Sequence, residues 1–161
     1  MFAISHPKLC PSAIMVRPQR TVAVAGPEVE VKRQDLIDSI AYCGLVCGLC
    51  HLREACDGCR NTATLCDRGA TCVQRTCCIE HRRRGCWECP DFPCGRDMHA
   101  PPHDLRIEAF VSFIRSEGAG ALIDCLLNNE ARGIHYGKGR DYDGLSGEDE
   151  VFELLRRGDS V

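Results

Sequence analysis

Apolar residues recur at helical spacing along one part of the chain, residues 95–161. Ile107, Phe110, Val111 and Ile114 stand at i, i+3, i+4 and i+7, one stripe on a helix that Gly118 and Gly120 should end. Leu122, Ile123, Leu126 and Leu127 make a second stripe, closed by Gly133 after Arg132. The run "IHYGKGRDYDG" places Gly137 and Gly139 between short aromatic-bearing arms, which predicts a hairpin. Ser146 with Asp149 three residues on has the form of a capping box. It opens a last helix with Val151, Leu154 and Leu155 on its inner face and a stop at Gly158.

Upstream the pattern changes. A short helix is expected from about Asp35 through Leu36, Ile37 and Ile40 towards Cys43, and beyond it no apolar period lasts more than a turn. The large apolar residues from Cys43 to Cys94 are Leu45, Val46, Leu49, Leu52, Leu65, Val73, Ile79, Trp87 and Phe92. That is a thin core, and domains so poorly supplied usually need a covalent or metal staple. Residues 1–33 contain four prolines and no sustained pattern, although "TVAVAGPEVEV" could supply a strand or two. They are read as a disordered extension. The expected organisation is thus a single domain over 34–158, with a metal-binding half (34–94) and a helical half (95–158). Its class is expected to be α+β: a small, irregular, cysteine-rich half packed on helices.

Composition sharpens this. Fourteen of 161 residues are cysteine, and twelve of them lie between 34 and 94. Such density marks a disulfide or metal scaffold. The N-terminus has no unbroken apolar run of signal-peptide length, and no segment reaches membrane-spanning length. The expected location is cytoplasmic, where thiols stay reduced and paired cysteines point to metal. Net charge is −3, and residues 95–161 carry 8 Lys and Arg against 13 Asp and Glu, so nucleic acid is not an expected partner.

Three cysteine pairs have two-residue gaps: Cys47/Cys50, Cys56/Cys59 and Cys86/Cys89. A two-residue gap lets both sulfurs of a tight turn face one ion, with backbone N–H groups at hand to stabilise the thiolates. One pair says little; three within this stretch point to metal. "YCGLVCGLCH" also contains the Cys-x3-Cys-x2-Cys of radical S-adenosylmethionine enzymes and the Cys-x-x-Cys-His of c-type haem attachment. The first needs a β/α barrel for which too little alternating pattern follows, and has Leu49 where an aromatic residue usually stands. The second needs export and leaves the other cysteines without a role. Four-thiolate zinc sites fit the donor set. An iron–sulfur cluster or a reactive dithiol is the alternative.

"CGLVCGLC", "CDGC", "CVQRTC" and "GCWECPDFPC" together resemble the cysteine-rich domain-of-unknown-function 3795 family, over roughly residues 40–158. The C-terminal "GIHYGKGRDYDG" before an acidic helix is similar to that family's tail. The resemblance implies a zinc-binding protein and carries no activity with it. The matching positions, taken as candidate metal ligands, are Cys43, Cys47, Cys50, Cys56, Cys59, Cys72, Cys77, Cys86, Cys89 and Cys94. Ten thiols fill two closed sites with two to spare, so about two zinc ions are expected. Cys10, Cys66, Cys78 and Cys125 lie outside the pattern. Cys78, close to Arg82–Arg84, is the candidate for the most reactive free thiol.

Other features are read more plainly. "HRRRG" at 81–85 is taken as a solvated face, and His51 and His81 as bystanders to abundant thiols. His99, His103 and His135 are taken as surface residues, and "APPHD" at 100–104 as a rigid connection. The acidic residues around 141–150 lack EF-hand spacing. The function expected is metal binding, zinc foremost, in a structural or protein-interaction role rather than catalysis. Any protein partner is expected on the C-terminal half, and no membrane.

Overall fold

The computed structural model describes residues 27–61, 69–101 and 104–157. The expectations for residues 1–26, for Leu65, Cys66 and His103 and for the stop at Gly158 lie outside these residues. Five α-helices follow in order: α1 (Pro27–Asp38), α2 (Val73–Glu80), α3 (Asp104–Glu117), α4 (Ala119–Glu130) and α5 (Glu148–Arg156). Short 3₁₀ turns stand at Cys47–Leu49, Cys86–Glu88 and Asp97–His99.

The α+β expectation is overturned. Among the described residues there is no strand or sheet, only one isolated antiparallel bridge between Ile40 and Val46. The hairpin expected over 134–144 is a string of turns. Here side chains rather than a cross-strand ladder take the backbone donors: His135 N–H donates to Asp141 Oδ2 (2.6 Å), Tyr136 N–H to Glu130 Oε1 (2.7 Å), and Gly139 N–H to Asp143 Oδ2 (2.5 Å). Acidic side chains that satisfy the backbone locally remove the need for a second strand.

The helical half matches its stripes, with differences at the ends. Gly118 separates α3 from α4, while Gly120 lies inside α4. The cap of α5 closes one residue later than expected. Glu150, not Asp149, accepts from both Ser146 N–H (2.9 Å) and Ser146 Oγ (2.7 Å). The helix α1 starts at Pro27, a residue suited to a first helical turn, rather than near Asp35. Arg33 fastens it to α4 by a two-pronged pair with Asp124, at 2.6 and 2.7 Å.

Helix α3 is the axis of the molecule. Phe110, Phe113 and Ile114 pack with Leu122, Ile123 and Leu126 of α4 and Val151, Leu154 and Leu155 of α5. Ile107 and Val111 of the same helix pack against the cysteine-rich half, through Cys43 and through Cys78 and Cys86. A helix buried on both sides needs apolar residues beyond one stripe, and Ala109 and Phe113 provide them. At the far end of the core, Asn129 Nδ2 donates to the Tyr142 hydroxyl (2.6 Å) and to Leu154 O (2.7 Å), tying the 134–145 turns to α5. Among the described residues no helix is long and apolar enough to cross a membrane.

The cysteine half is as poorly supplied with core as its sequence predicts. Of the eight described large apolar residues between Cys43 and Cys94, Val46 alone is buried. Leu52 and Ile79 are about half exposed, at 51% and 47%.

Candidate metal centre

Twelve cysteines are described, and none is in a disulfide. Eleven of them, all but Cys125 in the helical core, fall into two neighbouring groups.

The first group forms around the loop from Ile40 to Leu49. Ala41 N–H donates to Leu45 O (2.7 Å) and Cys47 N–H to Ser39 O (3.2 Å), closing a tight loop with Cys43 near its tip. The 3₁₀ turn that follows carries Cys47, and Cys50 N–H donates back to Cys47 O (3.0 Å). Cys43, Cys47 and Cys59 pack together under Ile107 and Met98. Cys72 is near enough for its charge to act on Cys43, and for the charge of Cys59 to act on it. Cys50 and Cys56 stand further out on the turns. Backbone N–H groups two residues on point at the sulfurs, from Leu52 to Cys50 (3.5 Å) and from Gly58 to Cys56 (3.4 Å). Leu45 and Gln74 stand in the same relation to Cys43 and Cys72. At Cys43 and Cys72 these donors favour thiolate over thiol and oppose the effect of burial.

The second group surrounds a cavity of about 160 Å³, lined by Cys77, Cys78, Cys86, Cys89 and Cys94 with His81, Arg83 and Arg96 among its neighbours. Helix α2 supplies Cys77 and Cys78. The 3₁₀ turn supplies Cys86 and Cys89, with Cys89 N–H donating to Cys86 O (3.0 Å). Cys86 N–H also donates to Tyr42 O (2.8 Å), which holds the two groups side by side. The sulfurs of Cys78 and Cys86 are 4.0 Å apart. Arg83 Nη1 donates to Cys89 Sγ at 2.8 Å, and Arg96 reaches both Cys94 and Cys77.

Proton affinities within the groups diverge because close thiols share protons. The Cys47 thiol donates to Cys59, which brings Cys59 down to about 6, with help from the Arg60 cation, and holds Cys47 far above its ordinary value. Burial pushes Cys43 up to about 12 and raises Cys72. In the second group Cys78 is lowered by the hydrogen bond from Cys86 and then by Arg83, while the same bond and burial raise Cys86. Thiols poised in this way release protons when a cation arrives.

Does the donor set fit an ion? Among the described residues, no three Cys, His, Asp or Glu side chains already stand as a closed set. One sulfur–sulfur spacing is nonetheless of the right size. With Zn–S bonds of about 2.3 Å, two sulfurs of a tetrahedral site lie about 3.8 Å apart. The Cys78–Cys86 separation of 4.0 Å is close to that edge.

The ten pattern cysteines are thus distributed as six (Cys43, Cys47, Cys50, Cys56, Cys59, Cys72) and four (Cys77, Cys86, Cys89, Cys94), and Cys78 joins the second set. The sequence pattern leaves Cys78 out of the ligand set because it lies outside the family's cysteine spacing. Three other residues were missed. Arg83 and Arg96 turn onto thiols, so "HRRRG" is not wholly a solvated face; Arg84, paired with Glu88 at 2.8 Å, fits that description. His99 was taken for a surface residue and is 2% exposed, beside Phe92 and 3.9 Å from Glu108. The stop of a 3₁₀ turn carries no periodicity that could have signalled its burial. His51 is exposed, with Nδ1 3.9 Å from Cys50 Sγ, and His81 Nδ1 lies 2.9 Å from Cys77 O.

A larger cleft, about 690 Å³, opens between Leu45–Leu52, the start of α3 and the 136–145 turns. Tyr136 closes one wall, its hydroxyl accepting from Val46 N–H at 2.9 Å. Arg106, paired with Asp143 at 2.7 Å, closes another.

The family described as "Protein of unknown function (DUF3795)" matches the chain over residues 52–99, which supports membership of it. The match takes in Cys56, Cys59 and Cys72 of the first group and the whole second group. It stops short of the 40–158 over which the resemblance was read, leaving out Cys43, Cys47, Cys50 and the 134–144 turns. No curated protein and no solved structure matches.

Proposed function

We propose that this chain, a member of the DUF3795 family over residues 52–99, is a zinc-thiolate protein in which about two ions act as structural staples. The reading rests on one observation above the others: five cysteines from two chain segments converge on a cavity of about 160 Å³. Convergence of thiols at this density is costly for thiolates alone, because like charges repel. A divalent cation removes that cost. The exposure of Leu52 and Ile79, and the burial of Val46 alone among the described large apolar residues between Cys43 and Cys94, support the structural role, since a stretch with so little core needs another source of folding free energy. Structural zinc supplies roughly 10–16 kcal/mol of it in apparent terms. Arg83 and Arg96 would offset the charge of a four-thiolate site, which is −2 with one zinc. No catalysis is invoked.

The test is elemental analysis of protein purified without oxygen. About two zinc per chain and a colourless solution support the reading. Iron with stoichiometric acid-labile sulfide and a brown colour would install the iron–sulfur alternative in its place. Protein without either metal would refute both.

A further inference from the structure

The second group holds five thiols, and a closed tetrahedral site takes four. We infer that its ligands are Cys78, Cys86, Cys89 and Cys94, and that Cys77, which the family pattern marks, stays outside the ion as an accessible thiol. The inference rests on the zinc reading above and assigns the residues within it.

Helix α2 decides between the two neighbours. Consecutive residues on a helix point about 100° apart, so Cys77 and Cys78 leave α2 in different directions and the more buried of the two is the better placed for an ion enclosed by the other thiols. Cys78 is the inward one. It is 2% exposed, packs with Cys86 against Val111 of α3, and has its sulfur 4.0 Å from that of Cys86. Cys86 and Cys89 follow as the two ends of one 3₁₀ turn, the arrangement that brings both sulfurs of a two-residue gap to one side. Cys94 is the remaining thiol of the segment that begins with that turn. Cys77 lines the same cavity but is less buried than Cys78. It is partly exposed, its sulfur lies 3.8 Å from Nδ1 of His81 one turn along the same helix, and His81 is exposed. Two guanidinium contacts agree with this division. Arg83 donates to Cys89, and Arg96 reaches both Cys94 and Cys77, so a guanidinium already stands beside Cys77 to offset its charge without an ion.

Brief treatment of the native, zinc-loaded full chain with iodoacetamide tests the assignment. A free thiolate attacks the methylene carbon, a C–S bond forms, iodide leaves, and the thiol proton goes to solvent. Peptide mass spectrometry should find Cys77 modified while Cys78, Cys86, Cys89 and Cys94 are protected until a chelator is added. Metal content of two variants provides the second readout. Cys77→Ser should keep about two zinc per chain, and Cys78→Ser should fall to about one. Protection of Cys77, labelling of Cys78 as fast as Cys77, or loss of an ion from Cys77→Ser would each overturn the assignment and leave the zinc reading intact. Wild-type protein with no zinc would overturn that reading itself. If Cys78→Ser fails to fold, the labelling pattern of the wild type decides.

Discussion

Gly44 offers a quantitative test of how the first thiol group is held against α3. It follows Cys43 with φ +93°, a conformation that side-chain-bearing residues rarely adopt. A Cβ placed there would also lie 2.8 Å from Cγ2 of Val111 and 3.4 Å from its backbone nitrogen. Gly44→Ala therefore carries two penalties. The left-handed backbone costs about 1–2 kcal/mol. Forcing a methyl into the packed contact with Val111, itself fully buried, adds about 1–3 kcal/mol. Their sum, roughly 2–5 kcal/mol, is a large part of the stability of an ordinary domain. Gly118 is the internal control: its φ is also +93°, and nothing lies within 4 Å of its would-be Cβ. Gly118→Ala should cost only the backbone share. With an unfolding slope of about 2 kcal/mol per molar urea, Gly44→Ala should lower the midpoint by roughly 1–2.5 M and Gly118→Ala by no more than about 1 M. Urea titration of zinc-loaded protein measures both, and zinc affinity should fall in the first variant only. Equal midpoints for the two alanine variants would show that the approach of Cys43 to α3 is not the tight contact described.

Three further outcomes are expected. Chelation should unfold the cysteine half while the helical signal of α3, α4 and α5 persists in circular dichroism; unchanged proteolysis after verified zinc removal would exclude the staple. Arg83→Ala should weaken zinc binding by about 10–100-fold in a competition titration, the usual loss when a group hydrogen-bonded to a ligand is removed; unchanged affinity would mean that the 2.8 Å contact with Cys89 is incidental. His99 should make the fold acid-sensitive. Burial lowers its proton affinity below the ordinary 6.5, with Asp97 opposing and Glu108 3.9 Å away. The unfolded chain then binds the proton more readily, so stability is full above about pH 6.5 and declines as pH falls below it. His99→Phe should flatten that decline, and an identical slope would assign it to other groups.

Some of this was legible in the sequence for clear physical reasons. The stripes of α3, α4 and α5 could be read because burial on one side imposes a period of 3.6 residues. The thiol pairs could be read because a ligand pair on a tight turn imposes a fixed gap. What was missed has no such period. The 134–144 turns look like a hairpin because glycines and aromatic arms are common to both. Only the partners chosen by Glu130, Asp141 and Asp143 tell them apart, and those are tertiary choices. Cys78 lies outside the family pattern and is read from its neighbouring arginines as a reactive free thiol, whereas it is 2% exposed. Adjacency shows that Cys77 and Cys78 diverge, and the packing of α2 against Val111 determines which of the two is buried.

Helix α3 makes the two halves one problem. Val111 touches the second thiol group and closes on Gly44 beside the first, while its neighbour Phe110 stacks on Tyr136 and meets Tyr142 edge-on. The Tyr136 hydroxyl in turn accepts from Val46 N–H, next to Cys47. A ring of contacts therefore runs from the thiols through α3 to the 136–145 turns and back to the thiol loop. Each link is short-range, and packed contacts of this kind resist gradual deformation. Metal bound at the thiols should stiffen the 136–145 turns although they hold no proposed ligand. Amide hydrogen exchange at Val46, whose N–H is bonded to Tyr136, reports on that ring directly. Its protection should fall on chelation and also in Tyr136→Phe, where only the hydroxyl acceptor is lost. Protection that falls on chelation but is unchanged in Tyr136→Phe would mean that the turns and the thiol loop are joined by some other route.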